Sequence, residues 1–267
     1  MRKFIAALLA VGLAATPPAA RAEGAEERYA EILRKFGPLV VHVKALIKTE
    51  ITVEGEKQDS EDWSEMLGVI ADPDGLVVVQ VLPFVSSDPE ETRTPLDVKV
   101  TIEGDALDHP AFLAAKDSKL GLAFLQIEGL ADRKLAAVDF TGAIEPRVGQ
   151  EVVSVGRGGE ELDFVTYFEL ARVCGKLKRP QRGWLLSGDT EGYGLPAFTL
   201  AGELAGFLTS IAAIQADGEA PDEEDYFRAL LPASTVKGVI DAARRIAAQM
   251  AIERATGKKA TPVEPGK

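Results

Sequence analysis

Gly68-Val69-Ile70-Ala71-Asp72-Pro73-Asp74-Gly75-Leu76-Val77-Val78-Val79-Gln80-Val81-Leu82 is the stretch from which the rest of the chain can be read. Two apolar, β-branched runs, 67–70 and 76–81, flank Asp72-Pro73-Asp74-Gly75. Proline presets φ, aspartate bonds its own backbone and glycine accepts positive φ, so this junction is a turn between strands. The same alternation continues outward. Short β-rich runs at 39–47, 97–102 and 122–127 are separated by turn residues at Glu54-Gly55 and Glu103-Gly104-Asp105. A polar linker, 131–149, leads into a second β-rich half, 150–231, with runs at 152–155, 164–173, 184–186 and 204–208. Many short strands with regular turn punctuation, split into two halves, predict an all-β chain built as barrels or as a sandwich.

Helices are expected at both ends of this β region. In 26–36, Tyr29, Ile32, Leu33 and Phe36 share one face, and Gly37-Pro38 stops the helix. In 232–257, Val236, Val239, Ile240, Ala243, Ala247 and Met250 recur at helical spacing. Ser234 or Thr235 is the expected cap, Asp241 and Arg245 an i,i+4 pair, and Gly257 the stop before a polar tail, 258–267. The N-terminus reads as a secretory signal. Arg2 and Lys3 precede an apolar run, 4–15, and Ala20-Arg21-Ala22 is a small-x-small cleavage site. Removal of 1–22 would start the mature chain at Glu23, with the first β-rich half and its leading helix spanning 23–130. The chain is then expected in the periplasm or secreted. The apolar run is shorter than the ~20 residues a bilayer needs, so no transmembrane segment is expected after cleavage.

The 267 residues carry 30 basic and 42 acidic side chains, a formal charge of −12. Loss of Arg2, Lys3 and Arg21 with the signal makes the mature chain more acidic still. An acidic surface repels phosphate, so nucleic acid is excluded as the expected partner. The acidic stretch 217–225 lacks calcium-loop spacing and reads as solvated. Cys174, the single cysteine, permits no intramolecular disulfide and is expected to be a buried, inert thiol. Gly156-Arg157-Gly158-Gly159 lacks the lysine ending of a phosphate loop and fits an inter-strand connection. No zinc or dinucleotide motif is present either, so no cofactor is expected.

The stretch 68–82 resembles the HtrA-like proteases of the trypsin-like serine protease family, whose segment reads G-x-I-I-D-P-D-G-x-I-L-T-N-x-H. Leu82 stands in the place of the histidine. Asp117-Ser118-Lys119-Leu120-Gly121-Leu122-Ala123-Phe124-Leu125-Gln126-Ile127 is similar to D-x-x-x-D-L-A-V-L-K-I, with Gly121 for the aspartate. Glu191-Gly192-Tyr193-Gly194-Leu195-Pro196 is similar to G-N-S-G-G-P, with Tyr193 for the serine. Two further segments fit. Arg147–Gly156 resembles R-V-G-E-x-V-x-A-I-G, and Ala229–Ile240 resembles F-A-I-P-x-x-T-V-x-x-V-I. The order and spacing of positions 82, 121 and 193 carry more weight than any single match.

The resemblance implies the trypsin-like (chymotrypsin) fold, with its cleft between two barrels, and a triad lost at all three positions. The triad acts as a unit, so the fold does not bring the activity with it. The family's oxyanion hole maps to the backbone N–H groups of Glu191 and Tyr193. A glutamate is unhelpful there, and Leu195 replaces a second glycine, which implies a rebuilt turn. His42, inside the first strand, and His109, at a strand edge or loop, fall outside the family's histidine position. Ser187 and Thr190 lie close enough in sequence to serve a relocated site, but no base is evident beside them. The vestigial cleft is expected at Leu82, Glu191, Gly192, Tyr193 and Gly194, with the Tyr193 ring packed on Leu82. The implied role is a non-catalytic module for a peptide or protein partner. The alternatives are a residual serine-type hydrolase with a relocated site and a structural or assembly protein with a filled cleft.

Overall fold

A computed structural model describes residues 18–53, 55–86, 88–188, 190–212 and 226–256. Helix α1, Pro18–Phe36, leads through a 3-10 turn, Gly37–Leu39, into twelve strands. The first six are β1 (Val40–Val53), β2 (Glu56–Ile70), β3 (Leu76–Gln80), β4 (Glu91–Thr101), β5 (His109–Asp117) and β6 (Leu122–Ile127). The second six are β7 (Glu151–Arg157), β8 (Thr166–Leu177), β9 (Gly183–Ser187), β10 (Pro196–Phe198), β11 (Leu204–Ala212) and β12 (Tyr226–Leu231). Helix α2, Ala233–Ala255, follows.

Each set of six closes into an antiparallel barrel. The first runs β1-β2-β3-β6-β5-β4, and the second, started at β7, runs β7-β8-β9-β12-β11-β10. The two halves therefore share one connectivity, the double-barrel arrangement that the trypsin-like fold predicts. Alternation along the strands fills both interiors. Val43, Ile47, Val77, Val79 and Val100 are buried in barrel one, and Val152, Val173, Trp184 and Leu230 in barrel two. A third core lies between the barrels. There Val40, Leu76 and Leu122 from barrel one meet Phe198, Phe207 and Leu231 from barrel two, under Phe36 of α1 and Val236 and Ile240 of α2. The Phe36 and Phe198 rings stack at 3.6 Å. Arg254 of α2 holds Glu128 at 2.9 Å and lies over the Phe112 ring, fixing the C-terminal helix on barrel one.

The Asp72-Pro73-Asp74-Gly75 turn forms as read: the Gly75 N–H bonds the Asp72 carbonyl at 3.0 Å, and the Asp72 carboxylate takes the Asp74 N–H. Other local readings are corrected. The β2 strand is far longer than the run at 67–70, because its first half, Glu-Lys-Gln-Asp-Ser-Glu-Asp, is polar on both faces and shows no alternation. Of the two placements expected for His109, the strand edge holds: it opens β5. Strands β5, β10 and β12 escape the turn-to-turn reading. Cys174 is exposed, not buried. It sits at a bulge where Val173 pairs with Leu186 and Gly175 with Leu185, so Val173 takes the interior position and the thiol turns out. The α2 N-cap position is Pro232, with no side-chain cap; its carbonyl accepts the Thr235 and Val236 N–H groups. Asp241 pairs with Lys237 and Arg244, while Arg245 donates to the Asp241 carbonyl instead.

The apolar run 4–15, the acidic stretch 217–225, Gly257 and the tail 258–267 lie outside the described residues. Ala20-Arg21-Ala22 falls within α1. Among the described residues no helix is long and apolar enough to cross a membrane.

Candidate functional site

The three positions that the resemblance aligns with a triad lie together. Leu82, Gly121 and Tyr193 line one cleft of about 1020 Å³ between the barrels, with Val81, Leu120, Thr209, Ser210 and Ile211. Each element reaches it for a local reason. Pro83 sits early in a 3-10 turn, Leu82–Phe84, where its missing N–H costs nothing. The turn buries Phe84 and leaves Leu82 53% exposed. The Arg93 guanidinium fixes it by donating to the Leu82 carbonyl at 2.9 Å, and is itself paired with Glu91 at 2.5 Å. That pairing holds the Glu91 carboxyl below its ordinary range.

Gly121 adopts φ +72°, the left-handed region that penalises a Cβ. Its carbonyl accepts the Val81 N–H at 2.9 Å. A Cβ built at Gly121 would come within 2.8 Å of the Thr209 Oγ1. That hydroxyl donates to the Leu120 carbonyl at 2.9 Å and so ties β11 of barrel two to barrel one. An aspartate at 121 would have to break this tie. The backbone at Gly121 and the Thr209 hydroxyl together therefore disfavour a carboxylate at this position.

The turn at 191–194 is likewise fixed by its own hydrogen bonds. Of the two N–H groups that would hold an oxyanion, that of Tyr193 bonds the Glu191 carbonyl at 2.8 Å. That of Glu191 bonds the Glu169 Oε2 at 3.1 Å, and the Gly192 N–H reaches the same oxygen at 3.3 Å. A carboxylate from β8 therefore occupies one of the two donors and a backbone carbonyl the other. Burial pushes the Glu169 carboxyl above its ordinary range, with the two N–H bonds acting against that shift. Gly194, at φ +87°, lets the turn pass against barrel one; a Cβ there would lie 2.7 Å from the Gln80 backbone nitrogen.

Of the five residues expected to form the vestigial cleft, Leu82 and Tyr193 line it. Glu191, Gly192 and Gly194 form the turn that presents Tyr193. The expected burial of Leu82 beneath the Tyr193 ring is not found: Leu82 is exposed and Tyr193 half-buried, with open space beside both. The remaining candidates lie elsewhere. His42 is buried in β1, its Nε2 3.6 Å from Glu65 and its Nδ1 without a hydrogen-bond partner. His109 bonds Asp105 at 2.7 Å, which also takes Arg133. The Ser187 hydroxyl donates to the Arg172 carbonyl, and the Thr190 carbonyl accepts from Arg228. Neither histidine, nor Ser187, nor Thr190 is among the residues lining the cleft.

Sequence reading missed Glu169, Thr209 and Arg93. The first two lie far from their partners in sequence, and neither occupies a motif position. Arg93 alone carried a local cue, a cation two residues from an acid in a strand. Comparison of the chain with protein-family models and with curated proteins finds no match.

Proposed function

We propose that the chain is an exported, catalytically inactive relative of the HtrA-like proteases that holds a peptide or protein segment non-covalently in the inter-barrel cleft. The observation that supports this best is the open cleft at Leu82, Gly121 and Tyr193. A strand edge accompanies it. The Leu208 N–H and carbonyl bond Leu195 and Gly194. Two residues on, the same side of Ser210 has no backbone partner among the described residues, and Ser210 lines the cleft. An extended segment added there would gain main-chain bonds, with Tyr193 as an aromatic contact. The exposure of Leu82 weighs against a purely structural role with a filled cleft. The distance of both histidines from it weighs against a relocated hydrolase.

Screening an array of unstructured peptides against the mature chain tests the reading. A binder should lose affinity with Ser210→Pro, which removes the free N–H, and with Tyr193→Ala. Binding that both variants leave intact would place the ligand elsewhere. A fluorophosphonate probe should leave the chain unlabelled, and Tyr193→Ser should not hydrolyse peptides, because a serine without a base is a weak nucleophile. Export is tested by mass spectrometry of the native envelope, which should find Glu23 as the first residue.

A further inference from the structure

The β2 strand offers a second place where an extended chain can add. From Glu56 to Val69 it pairs with β1 without a break, from Val40↔Val69 to Val53↔Glu56, with no shift in register. On its other side only Gly68, Val69 and Ile70 pair, with β3. Among the described residues no backbone hydrogen bond reaches that outer edge from Glu56 to Leu67. The parity of the strand identifies the groups left open. The Ala71 N–H points to the β3 side, onto the Leu76 carbonyl at 2.8 Å. In an unbroken strand successive residues alternate sides, so the N–H and C=O groups of Lys57, Asp59, Glu61, Trp63 and Glu65 face outward.

Long exposed edges are normally blunted by proline, by a bulge, by a covering element or by charge. The equivalent strand of barrel two, β8, is covered: Gly188 packs on the Leu170 carbonyl and the 191–192 turn is bonded to Glu169. The β2 stretch has neither proline nor bulge, and only charge is left. That charge is one-sided. Glu56, Asp59, Glu61, Asp62 and Glu65 stand against Lys57 alone. Lys44 and Lys48 of β1 engage Glu65 and Asp59, while Glu56, Glu61 and Asp62 have no basic partner among the described residues. Trp63, 53% exposed, sits in the middle of the edge strand with Lys99 over its ring.

We propose that the outer edge of β2 binds an extended, lysine- or arginine-rich segment of another protein by strand addition. Main-chain bonds to the outward groups supply the pairing, the unpaired acids select a basic occupant, and Trp63 supplies an aromatic contact. A second copy of this chain does not fit, since its own β2 edge would set acid against acid. The site is separate from the inter-barrel cleft and stands whether or not the cleft binds peptide.

The test titrates the mature chain with a synthetic decapeptide alternating lysine with valine or threonine. Its controls are the glutamate counterpart and the same lysine peptide N-methylated at alternate amides. Trp63 fluorescence reports binding, because Trp184 is buried. The lysine peptide should bind saturably below about 1 mM and slow hydrogen exchange at the outward amides of Glu61, Trp63 and Glu65. N-methylation, which keeps the charge and removes the pairing, should weaken it by ~10-fold or more. Glu61→Pro should do the same, and Tyr193→Ala should have no effect. Absence of saturable binding would overturn the proposal. So would equal affinity for the N-methylated peptide, which needs no variant to fold and would show bulk charge attraction alone.

Discussion

The interface between the barrels has a closed side and an open side, and the two meet within two residues of one turn. Leu195 is fully buried in the inter-barrel core, whereas Tyr193 faces the cleft half-exposed. On the closed side the packing is mainly apolar and tightly fitted: Phe198 lies on Phe36, Phe207 on Phe140, and Val40, Leu76 and Leu122 fill between. On the open side the backbone is fixed by hydrogen bonds and glycines, and Leu82 and Tyr193 reach solvent beside buried Val81, Leu120 and Thr209. Packing fixes the frame of such a site, and the frame does not depend on what its three central side chains can do. A chain can therefore keep the architecture with Leu82, Gly121 and Tyr193 in place of a triad.

The sharpest test of this contrast is on the closed side. Phe207 is fully buried against both barrels. Phe207→Ala should lower stability by ~3–5 kcal/mol, as for other large-to-small core changes. Denaturant melts read this directly, and a loss comparable to that of a surface substitution would show that the seam is not a core. Second in size is the backbone of the open side. Gly194→Ala forces a Cβ into positive φ and against the Gln80 nitrogen. It should cost ~2–3 kcal/mol, since neither backbone can move cheaply. Gly121→Asp, which restores a triad residue in name, should cost ~1–3 kcal/mol for the same reason and restore no activity. A stabilised Gly121→Asp variant would show that the backbone there accepts a side chain without strain.

The same contrast explains which parts of the molecule were legible in the sequence. The turn at 72–75 could be read from its Asp-Pro-Asp-Gly chemistry, strand β6 from its unbroken apolar run, and the buried face of α2 from the helical period that burial imposes on it. Residues 122–127 are apolar at nearly every position, and β6 is buried on both sides. The first half of β2 imposes no such period, being solvated on both faces, and its sequence alone resembles a loop. At the site, the three substituted positions were legible because their flanks are core. What the substitution did to the backbone was not. The Glu169 carboxylate closing the 191–192 donors, and Thr209 closing off Gly121, are contacts between distant strands that no local pattern encodes.

A smaller effect separates the two histidines, one enclosed and one at the surface. Burial lowers the His42 pKa, opposed by Glu65 and, more weakly, by Glu161 and Asp108, with Lys44 acting alongside burial. A lowered folded pKa means that the unfolded chain binds more protons below its own value of ~6.5. Stability from neutral His42 is therefore complete above that value and is lost as pH falls from it toward the folded pKa. The denaturation midpoint should drop between pH 7.5 and 5.5, and His42→Gln should flatten that drop, whatever its effect at pH 7.5. An unchanged slope in the variant would locate the pH dependence elsewhere.

The smallest effect is expected at Tyr193 itself, and it bears most directly on the cleft. Were the ring part of the inter-barrel core, truncation would leave a cavity and cost ~2–4 kcal/mol, as it does at buried aromatics. The structure gives the ring a half-exposed position beside an exposed Leu82 and about 1020 Å³ of open space. Truncation there removes little buried area and creates no enclosed void, so Tyr193→Ala should cost no more than ~1 kcal/mol. The turn that carries it is held by backbone bonds, from the Tyr193 N–H to Glu191 and from the Gly194 N–H to Leu208, which the substitution leaves in place. Melts of the parent, Tyr193→Ala and Phe207→Ala in one denaturant series put the two sides of the interface on one scale. If the tyrosine variant falls as far as the phenylalanine variant, the cleft is filled in solution and the peptide-binding reading fails with it. If its midpoint stays near the parent's while peptide affinity drops, the open side of the interface serves recognition and the closed side serves stability.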